Sequence, residues 1–150
     1  MFSKILCATN LDEASNEAVK QSVQLAHQYK SKIIMLNIHE EFMSKEEMGM
    51  LRVSIDSMKE IFEKIALEAK NEMKNTISML NAEDIDVEYI LKEGKPTTAI
   101  CQEADKKQID LIVMGVSEKN IVSNVLFRST ASYVIEHVKI PVLVVPMKSK

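Results

Sequence analysis

Two short runs that are apolar at every position, LIVM within DLIVMG and VLVV within IPVLVVP, constrain this chain more than any other feature. A strand with one solvated face alternates; a strand apolar on both sides must be covered on both. Between the runs stand a polar stretch, VSEKNIVSN, and an amphipathic one, VLFRSTASYVIEHVK. The segment from Asp110 to Pro146 therefore predicts strand, loop, helix, strand, a βαβ unit with parallel strands. In open parallel sheets ligands sit in the crevice beyond the carboxyl ends of the strands, so the loop after Gly115 is the first place to look for one.

The upstream chain supplies the rest of such a sheet. Lys4 to Thr9 (KILCAT) predicts a short strand, and Asp12 is placed to cap a helix from Glu13. In that helix Ala14, Ala18, Val19, Val23, Leu25 and Ala26 recur at three and four, and the pattern stops near Ser31. Lys32 to Ile38 (KIIMLNI) predicts a second strand apolar on both faces. The acidic stretch HEEFMSKEEMGM, broken by Gly49, predicts an exposed connection. From Leu51 to Leu80 one apolar stripe predicts a helix of about 45 Å. A six-residue strand spans only about 20 Å, so part of that helix must overhang the sheet.

Val87 to Leu91 predicts a third strand, at an edge; Gly94-Lys95-Pro96 then turns the chain into a helix reaching Gln108. The order β-α-β-α-β-α-β-α-β predicts an α/β fold, a five-stranded parallel open sheet with helices on both faces. One domain over 1–150 is expected, with 146–150 as a tail. At 150 residues and 46% apolar composition the chain is large enough for one core covered on two sides.

Other chemistry is constrained by what the sequence lacks. A net charge of -3 with 19 scattered Lys and Arg argues against nucleic acid as a partner. Only Cys7 and Cys101 occur, both inside predicted elements, so free thiols are expected rather than a disulfide or metal site. No apolar run approaches the roughly 18 residues of a membrane span, and MFSKILCATN lacks a signal-peptide core; a cytoplasmic protein without a membrane partner is expected. His39-Glu40-Glu41 starts like a zinc helix, but Met43 stands where the second histidine is needed. His27 and His137 are expected to be surface histidines. Ser129 and Thr130 lie about two turns from His137, too far to form a nucleophile and base pair. No enzyme is expected, at most a weak nucleotide hydrolase.

KILCATNLDEASNEAV, the EGKP turn, DLIVMG and the closing SxASYVIEHVKIPVLVVP together resemble the universal stress protein family, in the right order and across the whole chain. The resemblance implies a sheet ordered 3-2-1-4-5 and a homodimer through the last strand, Pro141, Val142, Leu143, Val144 and Val145. One subclass of that family binds ATP through a glycine, two residues, a second glycine, nine residues, then a third glycine followed by Ser or Thr. On this chain the first glycine is Gly115 and the hydroxyl is Ser129, but Glu118 and Arg128 occupy the other two glycine positions. A carboxylate and a bulky side chain there damage a phosphate cradle. Asn10 stands where the family usually has an aspartate contacting the nucleoside, and Ile38 matches the apolar position beside the adenine.

The candidate nucleotide site is thus Asn10, Ile38, Gly115, Ser117, Arg128, Ser129 and Thr130. Arg128, expected at the start of the last helix with Ser129 and Thr130, could hold an anion where the helix amides point. The resulting expectation is a non-catalytic, dimeric stress-response protein with unknown protein partners and weak or no ATP binding. The alternative is a sensor of an adenine nucleotide, ATP or AMP, or of another anion.

Overall fold

The computed structural model describes residues 1–39, 49–50, 54–117 and 121–147, with the backbone alone at 117 and 121–128. Most of the acidic connection, the first residues of the expected long helix, and Glu118 lie outside the described residues.

Nine elements alternate: β1 (Lys4–Thr9), α1 (Glu13–Tyr29), β2 (Lys32–His39), α2 (Ile55–Met79), β3 (Val87–Glu93), α3 (Pro96–Lys106), β4 (Leu111–Ser117), α4 (Ile121–His137) and β5 (Val142–Met147). The strands form one parallel sheet in the order β3-β2-β1-β4-β5. Both the five-stranded sheet and its order agree with expectation.

Strand periodicity divides the core into two layers. Ile5, Cys7, Ile33, Met35, Leu111 and Val113 face α1 and α2, together with Val19, Val23, Met73 and Ile77. Their neighbours Leu6, Ala8, Ile34, Leu36, Ile112 and Met114 face α3 and α4, with Ile100, Ala104, Ala131 and Val134. Each fully buried Ile or Leu contributes about 1.5–3 kcal/mol, which is why LIVM in β4 is covered on both sides; VLVV in β5, expected to be covered alike, is only partly buried at the sheet edge, with Leu143 36% exposed.

Local chemistry fixes the element ends. Asp12 caps α1, its carboxylate accepting from the Ser15 N–H at 2.8 Å. Lys30 ends that helix in the left-handed region at φ 56°. Pro96 begins α3, where its missing N–H costs nothing. The Asp110 carboxylate accepts from the N–H groups of Ser3 and Lys4 at 3.0 and 2.9 Å, tying the start of β1 to that of β4.

Helix α2 overhangs the sheet, as its length requires. Only Ala69, Met73 and Ile77 are buried, all in its C-terminal half, whereas Ile55 is 75% exposed. Two expected boundaries are corrected. The last helix starts at Ile121, so residues 121–124 are helix rather than loop. Pro146 and Met147 belong to β5 rather than to a tail.

The edge strand tolerates Pro146 for a geometric reason. The N–H of Ile112 donates to the Pro141 carbonyl at 3.1 Å, and Ile112 pairs with Val142 in the register. In a parallel ladder that places the C=O of Pro141 and the N–H and C=O of residues 143, 145 and 147 toward β4. Val142, Val144 and Pro146 turn theirs to the open edge, so the N–H that proline lacks is one β4 would not use.

Candidate functional site

Strands β1 and β4 are paired from Ile5/Leu111 to Ala8/Met114 and no further. Beyond that level β1 continues into Thr9 and Asn10, while β4 runs to Ser117 alongside β5. Strand order reverses direction between these two strands, and their parting opens the crevice in which such sheets hold ligands. Asn10, Ile38, Gly115 and Ser117 are all brought to the carboxyl ends of the three adjacent strands β2, β1 and β4.

The wall of the crevice on the α1 side is built around Asn10. Its backbone N–H donates to Ser15 Oγ at 3.1 Å; its side-chain Oδ1 accepts from the Ser15 hydroxyl at 2.7 Å and the Asp12 N–H at 3.1 Å. Leu11, between them, is held at φ 69°, a left-handed conformation unusual for a branched residue. The Leu11 N–H donates to Thr9 Oγ1 at 3.0 Å, and its side chain packs against the core under α1. The acceptor atom of Asn10 is therefore committed to the turn, and only its NH2 group, on an exposed residue, remains for a ligand among the described residues. In the first turn of α1 the Ser15 amide already donates to the Asp12 carboxylate.

Gly115 has a packing role of its own. A Cβ there would stand 2.2 Å from the Ala14 carbonyl oxygen and 3.2 Å from the Ser15 nitrogen. The first turn of α1 rests directly on β4, and only glycine leaves room for it. Ile38 is half-buried and packs on the opposite layer, beside Ile90 and the α3 side of the core.

The remaining candidates fall elsewhere in the geometry. Arg128, Ser129 and Thr130 were expected at a helix N-terminus; they lie at least two turns inside α4, which begins at Ile121. Amides at such depth are used by the helix itself, so the anion site expected of them has no helix terminus behind it. Ser129 is exposed and Thr130 is 4% exposed, beneath the helix. The Arg128 side chain lies outside the described residues, and so does the comparison of Glu118 with a cradle glycine.

Sequence reasoning overlooked Asn37. It is buried beside Thr9 in the register, and its Nδ2 donates to the Thr9 carbonyl at 2.8 Å, closing the end of β1. A single amide inside the apolar run KIIMLNI was the available signal, because a buried polar side chain needs a partner. Ser15 was overlooked too, having been counted only as part of a helix.

Among the described residues, burial and hydrogen bonding account for the titratable groups that depart from their usual range. Cys7 is fully buried, which pushes its thiol up to about 11 despite a hydrogen bond with Ser22. Burial also raises the half-buried Cys101. His27 pairs with Asp84 at 3.1 Å, and that hydrogen bond lowers the Asp84 carboxyl. The His137 Nδ1–H donates to the Tyr133 carbonyl at 2.7 Å, and its ring stacks on Tyr133 at 3.8 Å. Among the described residues no three Cys, His, Asp or Glu side chains converge on a possible metal, and no helix is long and apolar enough to cross a membrane.

Comparison with known proteins agrees with this architecture. The model of the universal stress protein family matches residues 1–146. Universal stress protein MJ0577 of Methanocaldococcus jannaschii is 28% identical over 158 residues, covering 99% of this chain and 98% of the relative. A solved structure of MJ0577 superposes with a TM-score of 0.75 at 25% identity, covering 100% and 99% of the two chains. UspA from Lactobacillus plantarum gives 0.76 at 22% identity, covering 96% and 97%. Two further chains share the fold. One is a universal stress protein in complex with cAMP, with a TM-score of 0.61 at 21% identity, covering 96% of both chains. The other, from Arabidopsis thaliana with AMP bound, gives 0.62 at 16%, covering 96% and 91%. Matched over nearly its whole length by the family model, this chain belongs to the universal stress protein family.

Proposed function

We propose that the protein serves stress tolerance in the cytoplasm as a non-catalytic homodimer that binds adenine nucleotides weakly or not at all. The observation that carries this reading is the contrast between the two edges of the sheet. At the β3 edge Glu88 pairs with Lys107 at 3.0 Å and Lys92 pairs with Glu103 at 3.0 Å, so charge lines the strand. At the β5 edge every residue from Val142 to Met147 is uncharged, and Leu143 is 36% exposed. An open, apolar strand edge is a template for another strand, and a second copy satisfies it without waste.

The weak-binding half of the reading draws on the crevice. Gly115 is taken up by α1, Asp12 engages the Ser15 amide at the nearest helix terminus, and Ser129 and Thr130 stand inside a helix. The alternative, a sensor of AMP, ATP or another anion, is favoured by the parting of β1 from β4 and by the relatives of the same fold solved with cAMP and AMP.

Light scattering tests the dimer: twice the chain mass is expected for the native protein, and the chain mass for Leu143→Lys. Leu143 is the better probe because Val144 packs against the core beneath α4, where a charge would unfold the chain. A native monomer would overturn the reading. Release of small molecules from denatured, undialysed protein, with calorimetric titration of ATP and AMP, tests the crevice; bound nucleotide would favour the sensor.

A further inference from the structure

We propose that a groove at the far end of the sheet, between the C-termini of α3 and α4, binds short apolar peptides with free termini, independently of any ligand in the crevice. Each helix runs back against its strands, so both helices finish where β4 and β5 begin. The carboxyl strand ends that carry Asn10 and Gly115 lie at the opposite end of the sheet. The groove encloses about 590 Å3, within the range that holds small molecules.

Its floor is apolar. Ala104 and Ile109 are buried, and the half-buried Val138 and Ile140 pack on the same layer of the core. Such a surface favours an aliphatic side chain over water. The walls are polar and carry opposite charges. Asp105 and Gln108 stand on the α3 side, with Gln102 beside Asp105 on the helix; His137 and Lys139 stand on the α4 side.

Among the described residues neither Asp105 nor Lys139 makes an ion pair, with each other or with any other group, and the side chains of Gln102 and Gln108 make no hydrogen bond. By contrast Glu103, on the same helix, is paired with Lys92 at 3.0 Å. His137 is engaged on one side of its ring. Its Nδ1–H donates to the Tyr133 carbonyl, which leaves Nε2 as an acceptor in the neutral imidazole.

A short peptide answers every member of this set. Its ammonium suits Asp105, its carboxylate suits Lys139, its amide N–H suits His137 Nε2, and an aliphatic side chain suits the floor. A simple anion would leave its charge facing Asp105, and a simple amine would leave its charge facing Lys139. Only a ligand with both charges and an apolar body avoids both conflicts.

Calorimetric titration of the native protein with leucyl-leucine, its N-acetyl form and its C-terminal amide tests this. Saturable binding of leucyl-leucine is expected, with each blocked form about fivefold weaker, as loss of one partly exposed ion pair gives. Lys139→Gln should bind the amide and the free acid alike, and Asp105→Asn should no longer distinguish the N-acetyl form from the free amine. Both positions are exposed, so the variants keep the fold, which an unchanged urea midpoint checks. Cys101 locates the site. Its half-buried thiol lines the groove, so bound peptide should slow its alkylation by iodoacetamide in the native protein.

No binding at millimolar peptide overturns the proposal. Equal affinity for all three peptides overturns the recognition of both termini. Binding that leaves the alkylation of Cys101 unchanged puts the peptide elsewhere and overturns the groove as its site.

Discussion

Ala14 sits so close over Gly115 that a single added carbon on the glycine would stand 2.2 Å from the Ala14 carbonyl oxygen. The same glycine opens the stretch in which a nucleotide cradle is looked for by sequence. Its presence is explained by the seating of α1 on β4, whether or not a ligand binds.

Gly115→Ala should consequently lower stability by about 1–3 kcal/mol or more through overpacking. The effect should be seen in urea unfolding of nucleotide-free protein. An unchanged midpoint would mean that α1 shifts freely and that the contact does not restrain the helix.

Asn37→Leu should also destabilise, by about 1–3 kcal/mol, because it leaves the Thr9 carbonyl without its buried donor at 2.8 Å. Asp12→Ala should cost about 1 kcal/mol through loss of the α1 cap. The two residues share no hydrogen-bond partner, so the double variant is expected to lose the sum of the two within about 0.5 kcal/mol. Chemical denaturation of the three variants reads both effects; a strongly non-additive double variant would tie them into one network.

The two thiols should differ in reactivity. With Cys7 fully buried and its pKa pushed up to about 11, roughly one thiol in a thousand is ionised at pH 8. Native protein treated with iodoacetamide should be alkylated at half-buried Cys101 and spared at Cys7, with both labelled in denaturant, as peptide mass spectrometry would show. Rapid native labelling of Cys7 would reveal opening of the sheet around β1.

Acid should weaken the fold through two carboxylates. Lys107 beside Glu88 and His27 beside Asp84 hold these groups below their usual range. A depressed folded-state pKa contributes stability that is fully present above the unfolded value, about 4, and is lost as pH falls through the folded one. Glu88→Gln should remove part of the pH dependence between about pH 5 and 3, measured as the denaturant midpoint across that range. An identical acid profile in the variant would count against the Lys107 pair.

Much of this architecture was legible because burial on both faces leaves a plain trace. LIVM and KIIML are sandwiched strands as their patterns require, whereas VLVV, read in the same way, lies at an edge with Leu143 36% exposed; the overhang of α2 followed from its length against theirs. The start of α4 was not legible. Ile121, Val122, Ser123 and Asn124 combine β-branched residues with residues that bond their own backbone, both poor in helices, so their types announce a loop where the helix begins. The candidate site was half legible. Strand ends placed Asn10, Ile38, Gly115 and Ser117 correctly, since those follow from strand order. The locking of Asn10 onto Ser15 depends on the turn at Leu11, whose φ of 69° no side-chain pattern announces.

The unequal edges of the sheet also limit how far it can grow. A sheet with two bare margins can recruit strand after strand and become a fibre. Here one margin is lined with the Glu88–Lys107 and Lys92–Glu103 pairs and the other is bare. Were a second copy to dock on β5, the joined sheet would end at a β3 margin on both sides, and addition would stop after a single step. Arithmetic of this kind lets a chain keep a sticky strand without the hazard of aggregation.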